Sequence, residues 1–260
     1  MNITFHPETS ADHYAVEEMT REAFWRFWEP EQTVCHEHLL VRKVRNCPSL
    51  VQELNIVARA NGEIAGHIIF TKSRVEDTET LTFGPLTVLP KFQSQGIGKA
   101  LMRYAFSIAR DMGFRAVIIY GNPDYYPRAG FRRAAEFGIT TPDSSVFDAL
   151  LVYELYDGAL DGIGGKYYID PVYESLTDEE AREFDKQFPP RQLHVFTPVG
   201  VLLDRLDSTS ADALRAKDFP SLDFIKSQSE REIAGIIGGD SIQTVRDVMR
   251  AHGFNWGTRA

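Results

Sequence analysis

Residues 80 to 120 restrict the fold more than any other stretch of the chain. Thr80 to Val88 reads as a strand, and Gln93 to Gly98 is a short polar loop that ends in two glycines. From Ile97 an apolar stripe follows at helical spacing, through Leu101, Tyr104, Ala105, Ile108 and Met112, with Lys99, Arg103 and Arg110 outside it. Gly113 suits the left-handed position that ends a helix. Ala116 to Tyr120 is then wholly apolar, as expected of a strand covered on both faces. A strand, a helix and a second strand in this order predict a crossover between parallel strands, and so a mixed α/β (α+β) fold with a central sheet flanked by helices.

The flanking segments extend that sheet. Asn2 to His6 reads as a strand, and Ser10 is placed to cap a helix whose predicted buried face is Ala15, Met19, Ala23 and Phe27. Trp25 and Trp28 near its end are read as packing residues rather than pocket walls. A second helix is predicted over Cys35 to Arg45, before Pro48. Asn55 to Ala60 and Glu63 to Thr71 flank Asn61-Gly62, a strong hairpin signal. Gly84-Pro85 interrupts Thr80 to Val88, and because proline cannot donate to a ladder, a bulge or free edge is predicted there. Further on come a short helix around Tyr125 to Ala129 and strands over Arg132 to Ile139 and Phe147 to Leu155.

The organisation predicted from these patterns is a domain over 1–156, an acidic extension or linker over 157–207 and a small C-terminal helical unit over 208–260. Between Asp157 and Pro190 there are nine acids and three bases. Beyond it, Ser229 and Glu232 form a capping box before Ile233, Ile236 and Ile237, and Ile242, Val245 and Met249 form another stripe.

The loop carries the chemistry. The first N–H groups of a helix have no internal partners, and the helix dipole adds positive potential there. Gly96 and Gly98 withhold side chains, so a phosphate can approach those groups, with Lys91, Lys99 and Arg103 nearby. By itself this pattern implies only an anion site, or a tight strand-to-helix turn. Formal charge is −9, which speaks against nucleic-acid binding and suits a cationic substrate. Cys35 and Cys47 fit neither a metal nor a redox pattern, so free thiols, no metal and a reducing, cytoplasmic setting are expected. No leader pattern and no apolar run of membrane-spanning length is present.

Gln93-x-x-Gly96-x-Gly98 resembles the Gln/Arg-x-x-Gly-x-Gly/Ala signature of the GNAT superfamily of N-acetyltransferases. Tyr126-Pro127-Arg128-Ala129-Gly130-Phe131 is similar to that superfamily's Tyr-x-x-x-Gly-Phe motif, and the phrases Phe83 to Pro90 and Gly121 to Pro127 resemble a bacterial group within it. The likeness spans about residues 1–156 and is strongest from 80 to 135. It implies the GNAT fold and acetyl-CoA, held between two splayed strands, as co-substrate. Leu86, Val88, Gln93, Ser94, Gln95, Gly96, Gly98, Lys99 and Asn122 are the cofactor-binding residues so implied. The implied reaction is direct attack by a primary amine of a small molecule or peptide in a ternary complex, with Tyr126 as the acid that protonates the departing thiolate.

No acid lies on Leu81 to Val88, where many relatives carry one, and the general base is left open among Glu22, Glu37, His67 and a water chain. The identity of the amine is also open, and a homodimer is compatible with the sequence. The alternative reading is a non-catalytic acyl-CoA sensor, or a regulator with a helix-turn-helix-like tail. The basic residues such a tail would use are few: Arg231, Arg246 and Arg250. Gly238-Gly239-Asp240-Ser241-Ile242 resembles a carrier-protein attachment motif with Ser241 as the modified residue, but reads more simply as a helix stop and cap.

Overall fold

The computed structural model describes residues 2–25, 34–191, 197–217, 219, 221–254 and 256. It separates into two compact units, residues 2–25 with 34–189, and residues from 190 onward. In the first, the N-terminal strand β1 (Ile3–Pro7) is followed by α1 (His13–Phe24) and α2 (Glu37–Arg45). The hairpin β2 (Ile56–Ala60) and β3 (Glu63–Val75) turns at Asn61-Gly62, both at positive φ (51° and 89°), as a two-residue turn between twisted strands requires. Next come β4 (Thr78–Val88), α3 (Ile97–Asp111) and β5 (Ala116–Tyr120).

The sheet closes with β6 (Arg132–Arg133), β7 (Ile139–Thr140), β8 (Leu150–Glu154) and β9 (Gly165–Tyr168). Its order is β1-β2-β3-β4-β5-β8-β6, with β9 pairing both β3 and β7. β4 and β5 are parallel and joined through α3, which is the predicted crossover. Residues 157–189, read from composition as extension or linker, carry β9 and α4 (Asp178–Asp185) within this unit. Five of the nine acids there lie on α4, whose Ala181 and Phe184 are buried.

Three local expectations shift in register. α1 buries Val16, Glu17, Met19, Thr20 and Arg21, while Ala15 is exposed and Asp12, not Ser10, is the N-cap. The apolar stripe misleads there because two of the buried side chains are charged. Phe27 and Trp28 lie outside the described residues. α3 buries Ile97, Gly98, Leu101, Met102, Ala105, Phe106 and Ala109, leaving Tyr104 and Met112 exposed. Phe106 takes the core position, with ring centroids 6.3 Å from Phe70, 6.4 Å from Phe83 and 4.6 Å from Tyr153. The strand expected over Arg132 to Ile139 is interrupted by a 3-10 turn at Ala134–Phe137. The bulge expected at Gly84-Pro85 is present: Ile68 pairs Leu86, but Phe70 pairs Phe83. That peptide bond is cis.

Under α1 and α2 lies a buried charge network. Arg42 donates to both carboxylate oxygens of Glu17 at 2.7 Å, and Arg45 donates to Glu17 and, at 2.6 and 2.9 Å, to Glu8. Burial alone would raise the Glu8 carboxyl, but hydrogen bonds from Arg45 and Asn55 and the nearby positive charge hold it below the usual range. His67 Nε2 lies 2.7 Å from Asn55 Oδ1, an acceptor, so the proton sits on Nε2 and Nδ1 is unpartnered among the described residues.

Burial pushes His67 and His38 down to about 4. The unfolded chain therefore binds more protons than the folded one between about 6.5 and 4. Stability is full above that window and falls as pH drops through it. The urea midpoint is expected to decrease steadily from pH 7 to pH 5; a flat profile would refute buried neutral imidazoles.

The second unit holds α5 (Gly200–Leu203), α6 (Ser208–Arg215), α7 (Leu222–Ser227), α8 (Glu230–Ile237) and α9 (Ile242–Ala251). They surround Leu202, Leu214, Leu222, Ile225, Ile233, Ile237, Val245, Met249 and Trp256. The capping box at Ser229 and Glu232 is formed. Ser241 Oγ is held by Asp207 at 3.0 Å and Ser210 at 2.8 Å, a structural role rather than a presented nucleophile. Among the described residues, no helix is long and apolar enough to cross a membrane.

Candidate active site

The site begins with backbone alternation. Leu89 N–H donates to Ala65 O at 2.9 Å, so along β4 the amide groups of Thr87 and Leu89 face β3, while those of Leu86 and Val88 face away. On that far side β4 meets β5 only at Leu81 against Val117. Beyond this pair the strands part, and the groups of Leu86 and Val88 look into the gap.

The loop after β4 is tied back to it. Gln93 Nε2 donates to Val88 O, and Gln95 Nε2 to Lys91 O, each at 3.0 Å. Ser94 and Gly96 have positive φ (62° and 84°), a backbone shape that turns successive N–H groups into one concavity. The two glycines serve different needs. At Gly96 a Cβ would meet nothing within 4 Å, so the requirement is the left-handed φ; at Gly98 it would stand 3.2 Å from the Tyr125 hydroxyl.

Gly96→Ala forces an L-residue into that left-handed conformation at about 1–2 kcal/mol. If the loop gives way, affinity for the CoA that the sequence resemblance implies is expected to fall about tenfold, since 1.4 kcal/mol is a factor of ten. Calorimetric titration with CoA checks this, and unchanged affinity would mean the turn is not part of the binding surface.

A cavity of about 660 Å³ opens over this loop. Leu86, Val88, Gln93, Ser94, Gly96, Gly98, Lys99 and Tyr126, named above as candidate site residues, all line it. Gln95 and Asn122 do not: Gln95 points back to Lys91, and Asn122 Oδ1 accepts from Asp124 N–H at 2.7 Å within an exposed turn. Phe92, Ile97, Tyr125 and Arg128 complete the lining, so the cavity has two cationic side chains and no carboxylate. Lys99 Nζ donates to Arg128 O at 3.2 Å, and no ion pair engages either side chain among the described residues.

Tyr126 starts a 3-10 turn, Tyr126–Ala129, and its ring sits among Phe83 (6.0 Å), Phe131 (5.3 Å) and Tyr125 (5.0 Å). Gly121 makes room for it: a Cβ there would lie 2.6 Å from two of its ring carbons. Burial, and secondarily Tyr125, push the Tyr126 phenol well above its usual value, so it remains a donor at any working pH. Tyr125 also lines the cavity, which the motif offset alone gave no reason to expect. None of the three base candidates lines it. His67 is enclosed beneath α1 and α2, Glu37 accepts from Cys35 Sγ at 3.3 Å, and Glu22 is half-buried on α1.

Comparison with known proteins places these features in a family context. The family model described as "Acetyltransferase (GNAT) family" matches residues 18–131. The uncharacterized N-acetyltransferase YjhQ of Escherichia coli K12 is 30% identical over 138 residues, 52% of this chain and 72% of its own length. YhbS of the same strain is 30% identical over 106 residues, 40% of this chain and 64% of its own. Among solved structures, E. coli YhbS in complex with CoA superposes with a TM-score of 0.59 at 23% identity, covering 68% of this chain and 94% of that one. A GNAT family acetyltransferase from Brucella melitensis in complex with acetyl-CoA gives 0.52 at 23% identity, covering 66% and 98%. At that identity the two structures speak to the fold.

Proposed function

The chain belongs to the GNAT acetyltransferase family, and on that premise we propose that it moves the acetyl group of acetyl-CoA to a primary amine of a small molecule or peptide. The observation that carries this is the cavity itself. It joins outward-facing backbone of Leu86 and Val88, the concave loop from Gln93 to Gly98, and the Tyr126 phenol, with cations and no acid in its wall. A pyrophosphate suits the loop, where N–H groups and the start of α3 converge. The pantetheine arm suits the open edge of β4. The two solved relatives, one in complex with CoA and one with acetyl-CoA, agree with that choice of ligand.

In this reading the amine nitrogen attacks the thioester carbon, and the oxyanion takes hydrogen bonds from the free edge of β4. As the tetrahedral intermediate collapses, the C–S bond breaks and the sulfur receives the Tyr126 proton. The amine's own proton leaves to solvent or to a base not among the cavity-lining residues, and the Tyr126 phenolate regains a proton from solvent.

The test is thiol release from acetyl-CoA across a panel of amines. Release that depends on an amine, with a matching acetylated product, is expected. Tight binding of acetyl-CoA with no turnover on any amine would favour a sensor, the reading to which the lack of a cavity carboxylate lends its only support.

A further inference from the structure

The register of β5 shows where the gap beside it begins. Gly121 N–H donates to Ala149 O and Leu155 N–H to Arg115 O, each at 2.9 Å, and β5 pairs β8 throughout from Ala116 to Tyr120. Alternation therefore turns the backbone groups of Ala116, Ile118 and Tyr120 toward β4. After the single pair Leu81 and Val117, the first β5 carbonyl facing β4 is that of Ile118.

In a closed sheet that carbonyl would accept from a β4 amide. Here it accepts from the Tyr167 hydroxyl at 2.8 Å, and Tyr167 is 1% exposed. Tyr167 comes from β9, whose pairing of Val75 with Tyr167 fixes it to β3, and its ring stands 6.0 Å from Tyr120. Six residues later Tyr173 covers the other strand: a Cβ on Gly84 of β4 would lie 3.2 Å from its ring, and its hydroxyl is 3.2 Å from Thr71 Oγ1. One segment thus touches β4 and β5 where they part.

We propose that Tyr167 is a wedge for the cofactor cleft, its hydroxyl occupying the first β5 carbonyl past the strand pairing so that β4 and β5 stay apart before a ligand arrives. The proposal rests on reading the cavity as a CoA site. Tyr167 touches no ligand in this account and is a positioning residue. Without its hydroxyl, the buried Ile118 carbonyl loses this partner, and pairing with a β4 amide replaces it. That pairing narrows the gap, and CoA must then select the minor open population, which lowers its apparent affinity in proportion.

CoA titration and acetyl-CoA kinetics on the full chain test this, using Tyr167→Phe, p-aminophenylalanine at 167, and Val152→Ala from the same apolar cluster as a stability control. Tyr167→Phe is expected to raise the CoA Kd and the acetyl-CoA KM about tenfold with kcat at saturation little changed. The aniline donor should restore both, and Val152→Ala should lower Tm without moving KM. An unchanged Kd in Tyr167→Phe, or an equal rise in Val152→Ala, overturns the wedge and leaves the CoA site standing. Failure of the wild type to bind CoA removes the site and the wedge with it. Should Tyr167→Phe not fold, hydrogen exchange of the wild-type Tyr120 amide decides: free exchange that slows on CoA binding supports an open gap, and protection without CoA overturns it.

Discussion

Tyr126→Phe is expected to lower kcat by about 10²- to 10⁴-fold, the range for removing a positioned acid, while the CoA Kd changes less than threefold or so. The ring keeps its place among Phe83, Phe131 and Tyr125, so packing survives and only the donor is lost. The loss should be smallest with thioesters whose thiol is already acidic, since such leaving groups need little proton transfer. Gly121→Ala offers an independent arm. Its Cβ would collide with the Tyr126 ring at 2.6 Å and push the hydroxyl out of line without changing its chemistry. A fall in kcat from both variants ties the rate to where the phenol stands. A full rate in Tyr126→Phe would move the acid role elsewhere, with Tyr125 next in line because it shares the cavity wall.

The largest effect on stability is expected from Arg45→Met. The guanidinium is 5% exposed and bridges Glu8 and Glu17, both with fully buried carboxylates. Taking it away leaves Glu8 without its bidentate partner, and breaking a buried pair on one side costs about 3–5 kcal/mol. Urea unfolding at neutral pH should show that loss as a lower midpoint at constant slope. Adding Glu8→Gln should recover part of it by removing the stranded charge. A loss below about 1 kcal/mol would mean that the network is hydrated, and that water already compensates the charges.

The parts of this fold legible in the sequence are those set by local chemistry. Asn61-Gly62, the turn at the two glycines, Gly113 and the apolar run Ala116 to Tyr120 are each set by local backbone or burial requirements, and each appears where expected. The bulge at Gly84-Pro85 follows from the missing proline donor alone. Where burial depends on distant partners, the pattern misled. Glu17 and Arg21 are absent from the predicted buried face of α1, and their partners lie 25, 28 and 164 positions away, on Arg42, Arg45 and Asp185. Asn122 illustrates the same limit at the site, since its turn with Asp124 sets its position and no motif encodes that turn's orientation. Residues 157–189 looked like a linker because acids on the outside of α4 outweighed the few apolar residues that anchor it.

Tyr167 lies 49 residues beyond the carbonyl it occupies, past both motifs that identify the family. During synthesis the strand, loop and helix proposed to take the pyrophosphate leave the ribosome well before β9 does. A nascent chain that has emerged only through Leu155 has every signature residue and an unwedged cleft, free to zip shut along β4. On the proposed reading, competence to bind CoA comes late, with the long-range closure of β9 onto β3, which is the slow kind of contact to form.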